Sequence, residues 1–189
     1  YWEEKKVVEN GVDIRSFDPE FNFVQDNTTI DGEFQDERYW EHREKEVNEW
    51  LKVEPLEVPD DVCLIGFRGG EFAVYPDLFL TRDYWTEGIE KMLKINPNMK
   101  FEVHTDDSEL AKEWFGNFPI IHDIGINWRS MRYAKYAIIA NSSFFILPRW
   151  LRNGVKHDVS VTIAPRFWGR RNTKVWSLPQ NFTKRFKYI

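Results

Sequence analysis

Three short polar clusters in this chain each follow an apolar run, and their side chains are the ones equipped for chemistry. They are Arg68-Gly69-Gly70-Glu71, His104-Thr105-Asp106-Asp107 and Asn141-Ser142-Ser143. The Arg68 guanidinium is always charged and presents a planar fork of donors suited to phosphate. Gly69-Gly70 permit the sharp turn that other residues resist. Ser142 and Ser143 precede a helical pattern, so their hydroxyls and the first free amides of that helix would converge on an anion. Together these groups suggest a diphosphate site, although no G-x-x-x-x-G-K-[ST] or G-x-G-x-x-G motif is present.

Each cluster has a structural reading beside the functional one. Arg68 could pair with Glu71 instead of a ligand. Glu71 could serve as a general base if burial raises its pKa. Asp106 and Asp107 could hydrogen-bond a base or ribose, hold a divalent metal, or simply cap the helix that Ser108 opens. His104 is either a packed strand-end residue or a proton carrier. Asn141-Ser142-Ser143 could be a plain cap before Phe144.

The elements that must position these clusters alternate. Val62 to Phe67 is an apolar run broken only by Gly66, which reads as a fully buried strand. A helix is expected from Thr81 to about Lys94, a strand over 101–104 and a helix around Leu110 to Phe115. Then come a short strand at Pro119 to Ile121, a helix from Trp128 to Ala137 and a strand from Tyr136 to Ala140. A helix from Phe144 to Leu151 and a strand from Val159 to Ile163 follow. This succession implies an α/β fold: a Rossmann-like parallel sheet with helices on both faces, which brings the three clusters to one edge. Two divisions are expected: residues 1–60 as an N-terminal extension with a connecting helix at Tyr39 to Leu51, and 61–189 as the Rossmann-like domain. Phe21 to Val24 reads as a strand, Ala73 to Leu80 as an irregular loop, and the tail after Phe167 carries few periodic cues.

Composition narrows the function classes. The chain has 189 residues, a net charge of −5 and interleaved acids and bases, which argues against general nucleic-acid binding. Its one cysteine, Cys63, lies in the buried run, so a disulfide framework is excluded and a structural zinc site is disfavoured. No run of about 18 apolar residues is present, so no membrane span is expected, and the expected location is the cytoplasm or a membrane periphery. No nucleophile elbow supports a hydrolase built on Asp106, Asp107 and His104.

The succession resembles the C-terminal half of the alpha-1,2-fucosyltransferase-like glycosyltransferases. The segments that carry the likeness are Ile138-Ile139-Ala140-Asn141-Ser142-Ser143-Phe144, Ile163-Ala164-Pro165-Arg166-Phe167-Trp168, Thr105-Asp106-Asp107, Arg68, and Asp31-Gly32-Glu33-Phe34-Gln35 followed by Tyr39-Trp40. The resemblance implies a GT-B fold, with this half binding GDP-fucose or a related GDP-sugar. It also implies inverting transfer to a glycan acceptor, with no cofactor and no essential metal. Carried over by position, Arg68 neutralises the leaving diphosphate, with Gly66 and Gly69 beside it. Asn141, Ser142, Ser143 and Phe144 line the pocket, and Asp106 or Asp107 approaches the guanosine. Glu71 and Arg68 are the catalytic candidates; His104 joins the donor-binding set. The chain departs from the family pattern in having Gly66 where a histidine is usual, one arginine instead of two, and Glu71 instead of an aspartate. It also has Phe145-Ile146-Leu147-Pro148-Arg149-Trp150 after the Asn-Ser-Ser-Phe segment. An acceptor-binding N-terminal half is expected to be missing from this chain. A non-catalytic nucleotide- or carbohydrate-binding module on the same fold is the alternative reading.

Overall fold

A computed structural model of the protein describes residues 1–9, 12–15, 17–76, 78–153, 160–166 and 183–189. The chain forms two compact units: one contains Tyr1–Leu51, and the other Lys52–Arg166 with Lys184–Ile189.

Among the described residues, the first unit holds four short strands. β1 (Trp2–Glu3) pairs in parallel with β4 (Ile30–Asp31), and β2 (Lys6–Glu9) pairs antiparallel with β3 (Val12–Arg15). Phe21 to Val24 is not a strand. Pro19–Phe23 is a 3-10 turn, because Asp18 accepts the Glu20 N–H and Pro19 presets the first turn. The expected helix from Tyr39 is split: two 3-10 turns, Glu37–Tyr39 and Glu41–Arg43, precede α1 (Glu44–Trp50). The Gly32–Phe34 loop folds around Glu4. This buried carboxylate accepts the N–H groups of Glu33 and Phe34 at 2.7 and 3.2 Å. Gly32 is needed there, because a Cβ would fall 2.6 Å from that of Glu4.

The second unit is the Rossmann-like α/β domain. Its strands are β5 (Val62–Phe67), β6 (Lys100–Thr105), β7 (Ile120–Ile121), β8 (Tyr136–Ile139), β9 (Val161–Ala164) and β10 (Lys187–Tyr188). They form one parallel sheet in the order β10-β9-β8-β5-β6-β7. The strands before residue 60 do not join it. The helices are α2 (Gly70–Ala73), α3 (Arg82–Ile95), α4 (Ser108–Phe115), α5 (Ile124–Tyr133) and α6 (Ser143–Asn153). Among the described residues, no helix is long and apolar enough to cross a membrane.

Two neighbouring residues of β5 show how the faces are covered. Successive strand residues point to opposite faces. Phe67 meets Trp85 of α3 and Trp114 and Phe115 of α4, with ring centroids 5.3–5.6 Å apart. Gly66 faces α5 and α6: a Cβ there would sit 2.9 Å from the Phe145 ring and 3.1 Å from Met131. Helices therefore cover both faces. Cys63 is fully buried in the same strand, and burial pushes its thiol pKa up. The seam between α5, α6 and β9 holds Arg149, which is 0% exposed. It donates to Thr162 Oγ1 at 3.0 Å and to the carbonyls of Met131 and Ala134 at 2.9 and 2.5 Å.

Three elements differ from expectation. α5 starts at Ile124, four residues before Trp128, because the Asp123 side chain accepts the Ile126 N–H at 2.7 Å. It ends at Tyr133, where Ala134 turns extended. The loop after Arg68 opens with the single-turn α2, and β10 adds a strand from the C-terminal segment. Val159, Phe167 and Trp168 lie outside the described residues.

Candidate functional site

Strand order places the site. β5 is central, and the chain moves outward to β6 and β7, then returns to β8 on the other side of β5. Between the carboxyl ends of β5 and β8 lies the topological switch point, where open α/β sheets bind ligands. Register fills in the residues. Phe67 is opposite Thr105 and Gly66 is opposite Ile139, so Arg68 is flanked by Asp106 on one side and by Asn141 on the other. The three clusters of the sequence therefore share one edge.

On the β6 side the two loops are clasped. Arg68 Nη1 lies 2.9 Å from Asp106 Oδ2, and the Gly69 N–H donates to Asp106 Oδ1 at 2.9 Å. The Gly70 N–H donates to Asp107 Oδ2 at 3.3 Å, while Asp107 Oδ1 caps α4 by accepting the Leu110 N–H at 3.0 Å. Arg68 Nη2 reaches the largely exposed Glu71 at 3.6 Å, and the guanidinium lies over the Phe72 ring at 5.2 Å. The ion-pair reading of Arg68 and the cap reading of Asp107 thus hold. The loop amides that a phosphate would use are occupied by the protein's own carboxylates.

The two glycines follow from this clasp. At Gly69 a Cβ would lie 2.6 Å from that of Asp107. Gly70 has φ +36° and would place a Cβ 2.7 Å from Asp106 Oδ2. Gly69→Ala is expected to cost about 1–2 kcal/mol, because its methyl would meet the Asp107 Cβ, an atom fixed to the backbone, at 2.6 Å. Urea denaturation measures it; an unchanged midpoint would show that the loops are free to separate.

On the β8 side, α6 begins at the carboxyl end of its strand. The Ser142 carbonyl accepts the Phe145 and Ile146 N–H groups, so the first amides of α6, those of Ser143 and Phe144, have no intrahelical acceptor. Ser143 is exposed, Phe144 is half-buried, and Ser142 is buried. Asn141 is buried, and its amide donates to the Leu78 carbonyl at 2.8 Å, tying the α2–α3 loop to the same edge.

Two residues of the expected donor-binding set lie inside the domain. Gly66 is enclosed by Phe145 and Met131, so it makes room for α6 and does not face the crevice. His104 is fully buried, with Nδ1 at 2.9 Å from Asn127 Oδ1 and Nε2 at 2.8 Å from Glu102 Oε1. Neither reaches a ligand from this position. Phe72 and Asn127 went unrecognised in the sequence. Phe72 carries no local signal, whereas Asn127 interrupts an apolar helical pattern that includes Ile124, Trp128 and Met131. Among the described residues, no group of three or more His, Cys, Asp or Glu side chains is arranged to hold a metal ion.

The chain is similar to a glycosyltransferase. The match is to an alpha-1,2-colitosyltransferase of Escherichia coli, 30% identical over 166 residues, covering 74% of this chain and 56% of the relative. The chain thus spans about half the length of the curated relative it matches. No family model matches it, and no solved structure matches it significantly.

Proposed function

We propose that this chain is the donor-binding half of a GT-B glycosyltransferase of the alpha-1,2-fucosyltransferase type. Its donor is GDP-fucose or a related GDP-sugar, colitose being the alternative suggested by the relative's name. Transfer to a glycan hydroxyl proceeds with inversion and without a metal. The observation that carries this reading is the register that sets Arg68 beside Asn141, just before α6, at the switch point.

In this mechanism the acceptor oxygen bonds to the anomeric carbon from the face opposite the diphosphate. The bond from that carbon to the phosphate oxygen breaks, and GDP leaves with the electron pair. Charge grows on the diphosphate, so fixed positive groups there lower the barrier. Arg68 supplies a full charge, and the α6 amides of Ser143 and Phe144 supply a partial one. To engage the diphosphate, the Arg68 fork must share or exchange its bond with Asp106. Glu71 is the nearest carboxylate with room to take the acceptor proton.

The occupied Arg68 fork and the exposure of Glu71 favour one second reading, a non-catalytic binding module on the same fold. Both readings expect GDP binding, and only the first expects sugar transfer.

A thermal-shift panel of GDP, GDP-fucose, its colitose counterpart, GDP-mannose, UDP-sugars and ADP, with and without divalent metal, tests the assignment. GDP at 100 times its dissociation constant should add about 2.7 kcal/mol without metal. A response to UDP plus manganese, with none to guanine nucleotides, overturns it.

A further inference from the structure

Behind the Arg68 clasp lies a hydrogen-bond chain that the mechanism above does not use. It starts at the partly exposed Glu102, passes through His104 and Asn127, and ends on the Thr105 carbonyl. Asn127 Nδ2 donates to that carbonyl at 3.1 Å. This bond sets the amide's orientation, because the flipped amide would oppose two oxygens. Asn127 therefore presents Oδ1, an acceptor, to His104 Nδ1. Glu102 presents a carboxylate, also an acceptor, to His104 Nε2. A ring between two acceptors must donate from both nitrogens, and only the doubly protonated imidazolium does so.

The surroundings of His104 agree. Its strand neighbours bring Gly66 from β5 and Ile121 from β7, and α5 brings Asn127; the charged group in contact is Glu102, on β6 itself. The Glu102 carboxyl is held below its ordinary range, chiefly by its bond to His104.

The place of the chain in the fold gives it a task. Thr105 is the last residue of β6, and the next two residues are the carboxylates that hold Gly69, Gly70 and Arg68.

We propose that His104, as an imidazolium, and Asn127 are positioning residues: with Glu102 they fix the end of β6, and through Asp106 and Asp107 they set the Arg68 loop for a nucleoside diphosphate. Between two acceptors, both ring nitrogens must donate for the relay to be complete. The proposal rests on the donor-site reading above, and two readouts separate the failure of one from the failure of the other.

The first readout needs no nucleotide. Nitrogen-15 NMR of the ring nitrogens in the full chain, with His104→Gln to assign the signal, reports the protonation state directly. His104 should carry protons on both nitrogens, as its two acceptors require. A neutral, single-tautomer His104 at neutral pH overturns the imidazolium, and so the proposal.

The second readout is GDP binding by calorimetry. Asn127→Leu should weaken binding about tenfold. Wild-type affinity in a folded Asn127→Leu variant overturns the positioning role. If the wild-type chain binds no guanine nucleotide, the donor reading fails and the positioning role fails with it, while the NMR signature still decides the charge on the ring.

Discussion

Arg149→Leu is expected to destabilise the Rossmann-like unit by about 3–5 kcal/mol, the cost of leaving several buried acceptors without their donor. The guanidinium is fully buried and reaches three acceptors: the Met131 carbonyl in α5, the Ala134 carbonyl just beyond it, and the Thr162 hydroxyl in β9. Both carbonyls lie at the C-terminal end of α5, where helices leave acceptors unsatisfied and where a cation is favoured. Leucine fills part of the volume but strands these acceptors away from water, each costing about 1–3 kcal/mol. Urea denaturation followed by tryptophan fluorescence measures the loss. A change below about 1 kcal/mol would mean that water reaches the seam and replaces the arginine. Arg149→Lys should recover only part of the stability, because one ammonium cannot span the three acceptors of a planar fork.

Arg149 also shows where the sequence stopped being informative. The segment after Asn141-Ser142-Ser143-Phe144 departs from the resembled family and carries this arginine. In the structure that arginine points away from the site and ties α6 to α5 and β9. Nothing in the local sequence indicates a buried arginine, because its acceptors are backbone carbonyls and a hydroxyl from other elements. The buried strands were legible for the opposite reason. Val62 to Phe67 and Tyr136 to Ile139 are apolar on both faces, which is what a doubly covered parallel strand requires. Elements whose ends depend on a single cap were less legible: Asp123 and Asp18 start helical turns that the apolar pattern alone places late or reads as strand.

For the site, the gathering of three clusters at one edge was readable from strand alternation, but the bonds among them were not. Gly69-Gly70 read as a sharp turn. The structure adds a close approach to that turn by Asp106 and Asp107, from a loop 37 residues further on. A glycine pair signals that something comes near the main chain; it does not say what. The same ambiguity affects His104. Its position after an apolar run fitted a ligand contact, and only the register with Gly66 and the amide of Asn127 reveal a buried ring.

The clasp changes what a substitution at Arg68 should do. Arg68→Lys keeps the charge but loses the fork, so GDP affinity is expected to fall about tenfold, ~1.4 kcal/mol. Arg68→Ala removes a charge-assisted contact of about 1.5–3 kcal/mol, and the loss should approach a hundredfold. The ligand-free fold should hardly respond. The Arg68 and Asp106 side chains are 22% and 28% exposed, so solvent replaces much of their ion pair, which is worth under about 1 kcal/mol. Asp106 also keeps the Gly69 N–H when the guanidinium is gone. Calorimetric titration with GDP and urea denaturation of the same variants read the two effects apart. If GDP binding is unchanged while the midpoint falls, Arg68 is a staple between the β5 and β6 loops and the diphosphate binds elsewhere. Asp106→Asn completes the comparison, because it frees the fork without removing it. If Asp106 orients Arg68, this variant should also weaken GDP. If the carboxylate only competes with phosphate for the guanidinium, it should bind GDP more tightly than the wild-type chain. The positioning argument requires the first result, because Asp106 bridges Arg68 and the Gly69 amide at 2.9 Å each, and asparagine can accept only one of those bonds through its oxygen without turning an N–H toward the other.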